Sequence, residues 1–352
     1  MAIPKKKKTV DISIKDIARE AGVAISTVSN VINNSRFVTS ETKERVIQAI
    51  EKLDYRPNII ARGLRIHSTN TVAVIVPDIS SSFFSQVING IEEVARKRNY
   101  TLILGCTSFD YKEEKRITNV LLNSFIDGFI FFSGFDNYEF IKKIYDKNVP
   151  VVALDKDLGD SEIPTVVIDN FAAVEASVDY LCKFGHKKIG YISFTYDKQT
   201  TVRKRFEGYL SGLKKNNLEY DPDLVLISPE MRLHETTFTY ETVKNFLKKG
   251  KIPTAFLTVA DVFAFGLIRA LKDEGFKVPE DVSVMGFDNI LFSQFTDPLL
   301  TTVKQPKNLM GNIAMNLLLD LIEGKEVINK KIIMPTTIIE RESVTFPKNQ
   351  NK

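Results

Sequence analysis

The sequence predicts two architectures in one chain: a small all-α headpiece of helix-turn-helix plan, and a larger α/β core of two lobes built on parallel sheets. Three observations predict this. Apolar residues recur at helical spacing up to Leu53, with a glycine break at Gly22. From residue 71 onward, short apolar β-branched runs alternate with helical stretches. Charge divides the same way: residues 1–65 hold 13 Lys+Arg against 7 Asp+Glu, and the remainder holds 35 against 37. The positive excess in the first fifth of the chain suggests a polyanion-binding module attached to a neutral one.

A length of 352 residues allows two or three domains, and 43% hydrophobic content indicates a soluble globular protein. No apolar run is long enough to span a bilayer. The run Lys5–Lys8 is not followed by an apolar stretch, so it does not read as a secretory signal. Cys106 and Cys182 have no metal-ligand spacing, and a reducing, cytoplasmic setting is expected.

Ser13, with Asp16 three residues on, resembles a capping box that opens a first helix, and Ile14, Ile17, Ala18 and Ala21 share one face. Gly22 can take the positive φ of a tight turn, and Val23 can pack inward. A second helix is expected from about Ala24 to Asn33, buried through Val28, Val31 and Ile32. Its other faces carry Ser26, Thr27, Ser29 and Asn30, which are poor choices for a helix that only packs. Short hydroxyls and amides there can reach base edges or phosphates, Asn can pair bidentately with adenine, and Arg36 can approach phosphate or guanine. Thr39 is expected to cap a third helix with Val46, Ile47, Ile50 and Leu53 as its stripe. Helix, turn, helix, loop, helix in about forty residues is the plan that puts the second helix into a major groove. The stretch "YRPNIIARGLR" is too short to hold a helix alone, but two copies could fold over a minor groove with Leu64 as a wedge.

In the core, "TVAVIV" (71–76) reads as a strand buried on both faces. A helix at 83–98, "YTLILG", a helix at 112–122, "DGFIFF", a helix near 138–147 and "PVVAL" complete one βαβ series. A second series runs "KKIGYIS", helix 201–216, "DLVLI", helix 237–249, "TAFLT", helix 261–274 and "DVSVMGF". Near Thr302–Gln305 the chain is expected to return, with a helix at 307–323 packing on the first lobe. The expected divisions are a basic tail at 1–12, the headpiece at 13–56, a hinge helix or linker at 57–69, the core at 70–344 and a tail at 345–352. Within the core, lobe 1 takes 70–169 and 304–330, and lobe 2 takes 170–303 with the C-terminal strand. Ligands in open α/β sheets bind beyond the carboxyl ends of strands. Those ends hold Asp78, Ser80, Phe84 and Asp155 in the first series, and 195–201, Ala260, Asp261 and Asp288 in the second, with Arg205 facing the same cleft.

Taken together, "IKDIAREAGVAISTVSNVIN", "RFVTSETKERV", "YRPNIIARGLR", "VAVIVPDISSSFFSQVINGIEE", "DVSVMGFDN" and "LTTVKQPK" resemble the LacI/GalR (lactose-repressor/galactose-repressor) family of bacterial transcriptional regulators. The resemblance runs from Ser13 to Val344. It implies a periplasmic-binding-protein-like core of two Rossmann-like lobes, a homodimer, double-stranded operator DNA as partner and a small-molecule effector, with no cofactor. Matching positions imply base contacts from Ile25, Ser26, Asn30 and Arg36, phosphate or supporting roles for Thr27, Ser29 and Tyr55, and a minor-groove wedge at Leu64 beside Arg65. Effector contacts are implied at Phe84, Asp155, Arg205 and Asp288, and further at Ser82, Phe83, Lys156, Gln199 and Thr201. An aromatic wall with an Arg/Asp pair suits a polyol, so a sugar is the expected effector.

Two departures from the family pattern weaken local structure. Ala24 stands where Ser or Thr would cap the second helix, at a cost of about 1 kcal/mol. Gly63 makes the hinge segment harder to order, by up to about 1 kcal/mol. Many sugar-binding relatives also carry Asn before the aspartate, where this chain has Ala260. There is no GxSxG, no P-loop and no His-rich metal signature, so an enzyme is not expected; His186, in "FGHKKI", reads as a structural turn residue.

Overall fold

In the computed structural model, which describes residues 12–33, 36–55, 68–124, 126–132, 137–195, 200–228 and 235–348, the chain forms two compact units that divide between Thr69 and Asn70. The expected roles of Leu64, Arg65, Gln199 and the Lys5–Lys8 run lie outside the described residues.

The first unit holds α1 (Ile14–Ala21), α2 (Ile25–Asn33) and α3 (Ser40–Lys52). At the start of α1, the Ser13 backbone N–H and hydroxyl donate to the Asp16 carboxylate at 3.0 and 2.7 Å. The helix stops at Gly22, whose φ of +63° lets the Val23 N–H return to the Ala18 carbonyl at 3.0 Å. Arg45 of α3 donates to the Ala21 carbonyl at 2.5 Å and to that of Gly22 at 3.2 Å, tying a cation to the negative end of α1. Ile17, Ala18, Ala21, Val28, Val46 and Ala49 form the core, with Val23, Val31, Ile32, Ile50 and Leu53 packed around it. One expectation fails here. Ile47 is 40% exposed, and Ala49 fills the stripe instead, because the helix presents 46, 49, 50 and 53 to its neighbours.

The second unit contains two six-stranded sheets. The first series runs β1 (Thr71–Val76), α4 (Ser82–Lys97), β2 (Thr101–Cys106), α5 (Tyr111–Leu122), β3 (Gly128–Phe132), α6 (Tyr138–Tyr145), β4 (Val151–Leu154) and β5 (Thr165–Ile168). The second runs α7 (Asn170–Lys183), β6 (Ile189–Ser193), α8 (Thr200–Lys215), β7 (Val225–Ile227), α9 (Glu235–Leu247), β8 (Ala255–Thr258), α10 (Asp261–Asp273), β9 (Ser283–Asp288) and β10 (Thr301–Lys304). The chain ends with α11 (Lys307–Ile322), β11 (Lys331–Met334) and β12 (Thr337–Ile339). Strand orders are β11-β5-β4-β3-β1-β2 and β12-β10-β9-β8-β6-β7, parallel throughout except that β12 runs antiparallel to β10.

The chain therefore passes between lobes three times, after β5, after β10 and after β11. Two elements went unread in the sequence, strand β5 and helix α7. The expected end of lobe 1 at 330 also needs correcting: β11 pairs with β5 in register Lys331↔Thr165 to Met334↔Ile168, so the first sheet extends past it. Helix α11 packs on α4 across a reciprocal pair of glycines. A Cβ on Gly90 would lie 2.1 Å from the Asn308 carbonyl oxygen, and one on Gly311 would lie 2.1 Å from that of Val87.

Candidate functional site

In the headpiece, Gly22 and the buried stripe of α2 fix which faces remain outward. Ile25 and Ser26 are exposed, Thr27, Ser29 and Asn30 are half-buried, and Arg36 is exposed. Ala24 contributes only its carbonyl, which accepts from the Thr27 and Val28 N–H groups at 2.9 and 3.2 Å. With no side chain to cap it, the first turn of α2 keeps donors for an anion such as a backbone phosphate. Tyr55 packs against the headpiece core, and its N–H reaches the Ile50 carbonyl at 3.0 Å, which is a supporting position.

In the core, the carboxyl ends of the strands converge on a cleft of about 90 Å³ between the lobes. Ser82, Phe83, Phe84, Asp155, Thr201, Arg205 and Asp288 all line it, as expected. Lys156 does not: it is buried in lobe 1, where its charge acts on the buried Glu114 carboxyl. Sequence reading missed Phe109 and Phe194, which add two rings to the wall. Both follow the carboxyl end of a strand, β2 and β6, so the strand-end rule applied to every strand finds them. The apolar part of lobe 2's wall, Val259, Ala260, Val262 and Ile290, carried no distinctive signal.

Phe83 and Phe84 meet edge to face at 5.3 Å, and Phe84 meets Phe132 likewise at 5.4 Å. Arg205 is held rigidly. Its Nε donates to Asn170 Oδ1 at 2.7 Å and its Nη1 to the Val259 carbonyl at 2.6 Å. The guanidinium stacks 3.9 Å from the Phe287 ring centroid, and Nη1 lies 3.8 Å from Asp288 Oδ1. Asp288 accepts from Gln305 Nε2 at 2.6 Å, and Lys307 donates to the backbone carbonyls of Asp288 and Asn289. Burial raises the Asp288 pKa, opposed by Arg205, Lys307 and Gln305. Both cleft acids sit on left-handed backbone, Asp155 at φ +53° and Asp288 at +110°, a strained conformation that surrounding contacts must hold in place. Thr201 donates to the Asp155 carbonyl at 3.0 Å, a direct link from lobe 2 to lobe 1.

Behind the wall, Asp261 is fully buried. Its carboxylate accepts from the Ile290 N–H at 2.8 Å, from Ser293 Oγ at 2.6 Å and from Thr302 Oγ1. Burial, then Asp288, push its pKa up to about 7 against those three donors. It holds the loop that carries Ile290 into the cleft. His186 is structural as expected: its ring nitrogens meet Thr254 Oγ1 at 3.0 Å and the Thr345 carbonyl at 2.9 Å. No helix among the described residues is long and apolar enough to cross a membrane.

Residues 13–58 match the family described as "Bacterial regulatory proteins, lacI family", and residues 178–344 match the "Periplasmic binding protein-like domain". The helix-turn-helix and the two-lobed core thus define a DNA-binding transcriptional regulator rather than an enzyme. The chain is 38% identical to the HTH-type transcriptional regulator RegA of Clostridium acetobutylicum over 334 residues, 94% of this chain and 98% of that protein. It is 34% identical to catabolite control protein A of Priestia megaterium, covering 95% of this chain and 99% of that one. A solved complex of the regulator CelR with cellobiose superposes with a TM-score of 0.69 at 28% identity, over 94% of this chain and 99% of that one. The chain belongs to the lacI family of bacterial regulatory proteins.

Proposed function

We propose that the protein is a cytoplasmic repressor that binds a pseudo-palindromic operator as a homodimer and responds to a sugar bound between the two lobes of its core. The observation that carries this reading is the cleft. It brings a rigid guanidinium, two buried carboxylates and four phenylalanine rings to one small volume, at the strand ends where α/β sheets take ligands. Charged groups offer paired bonds to vicinal hydroxyls, and rings stack on a sugar face. CelR, solved with cellobiose, shares this fold. A homodimer is supported by large apolar side chains left on the surface: Leu291, Phe292 and Phe295 in lobe 2, and Ile79 and Leu104 in lobe 1. The DNA contacts are assigned to Ile25, Ser26, Thr27, Ser29, Asn30 and Arg36, with Tyr55 in support and with Leu64 and Arg65 at the minor groove.

Three chain crossings give the lobes a shared hinge, and the Thr201–Asp155 bond spans them. An effector that favours one lobe arrangement shifts the protein toward it only by its differential affinity for the two. The test is deletion of residues 1–66, with fluorescence anisotropy on inverted-repeat DNA and calorimetry with sugars. The expected outcome is complete loss of DNA binding with sugar binding retained. A truncated protein that still selects the operator would overturn the reading.

A further inference from the structure

We propose that the cleft selects an uncharged sugar over its phosphorylated counterpart; this rests on the sugar-effector reading above. Among the described residues that line the cleft, Arg205 is the one cation, and it faces two carboxylates, Asp155 and Asp288. Most of its donor capacity is already committed to Asn170 and Val259, and its charge is shared with Asp288 at 3.8 Å and with the Phe287 ring. Only the Nη2 edge is left for a ligand. That suffices for one or two hydroxyl oxygens, but a phosphate dianion placed there would lie close to two buried carboxylates in a water-poor site.

The other buried cations nearby do not answer for such a charge. Lys307 is spent on the carbonyls of Asp288 and Asn289, and Lys156 lies beside Glu114; neither is on the cleft wall. The connection 196–199, outside the described residues, carries one acid and one base, Asp197 and Lys198, and adds no net charge. The rest of the wall is apolar, so it offers an anion no further donors beyond Ser81, Ser82 and Thr201. A neutral ring with several hydroxyls uses all of these features at once: carboxylates as acceptors, the guanidinium edge as donor, and phenylalanines as stacking faces.

The experiment is calorimetric titration of the full-length protein with D-glucose, D-ribose and cellobiose, and with glucose 6-phosphate and ribose 5-phosphate. At least one neutral sugar should bind at least tenfold more tightly than either ester. In Asp155→Asn, the preference for the neutral sugar over its ester should narrow, because one repelling charge is gone. An ester that binds within tenfold of its parent sugar, or more tightly, overturns the charge inference and leaves the sugar-effector reading standing. A preference unchanged in Asp155→Asn also overturns it. If none of the five compounds binds, the sugar-effector reading fails, and this inference fails with it.

Discussion

Glu114 shows how far a single side chain can set the pH response of the fold. It is 3% exposed on α5, its carboxylate accepts from Asn137 Nδ2, and burial raises its pKa to about 7, with Lys156 opposing. The unfolded chain gives up that proton near 4.5, so between about 4.5 and 7 the folded state binds more protons than the unfolded one. Stability is therefore highest below that window, falls as pH rises through it, and above it is lower by roughly 3 kcal/mol before Lys156 and relaxation reduce the figure. Glu114→Gln keeps an oxygen for Asn137 and should flatten this dependence, gaining more stability at pH 8 than at pH 5; urea titrations at the two pH values measure it. In the headpiece, Asn30→Ala should relax base preference at one or two operator positions in a binding-site selection, with general DNA affinity changed little. Much of the cleft was legible at this scale because strand-end position and residue type coincide, as at Asp155, Arg205 and Asp288. Lys156 was misplaced because it is adjacent to Asp155, yet adjacency at the end of a strand says nothing about which way each side chain turns.

Elements with a long apolar pattern were read correctly to within a residue or two, and the failures share a cause. Strand β5 has only four residues, Thr165–Ile168, and is buried by neighbours as remote in sequence as Lys331. So short an apolar run fits a strand or a helix fragment equally well when its pairing partner is unknown. The α4–α11 contact is similarly silent in sequence, since Gly90 and Gly311 are unremarkable until the two helices are brought face to face. Gly311→Ala should push a methyl against the Val87 carbonyl, where backbone cannot yield as a side chain would. The expected cost is roughly 1–3 kcal/mol. It should appear as a lower melting temperature of the core, with the headpiece's intrinsic DNA preference unchanged.

At the scale of the whole molecule, the charge asymmetry announced two units, and the division between Thr69 and Asn70 follows it. What the sequence hid was how the two lobes are sewn together, because β11 and β12 are four and three residues long and only pairing reveals which sheet each joins. Ending the chain at residue 330 removes an outer strand from both sheets at once, along with Ser343, whose hydroxyl donates to the Val284 carbonyl and accepts from the Thr301 N–H. Such a truncation should make both lobes susceptible to limited proteolysis together, rather than one alone. The stitching also sets an order of assembly during synthesis. The headpiece is continuous and can form as soon as it leaves the ribosome, whereas lobe 1 must wait for Lys307–Met334, which come from the last fifty residues. The receptor half becomes complete only once nearly the entire message has been translated, long after the half that reads DNA.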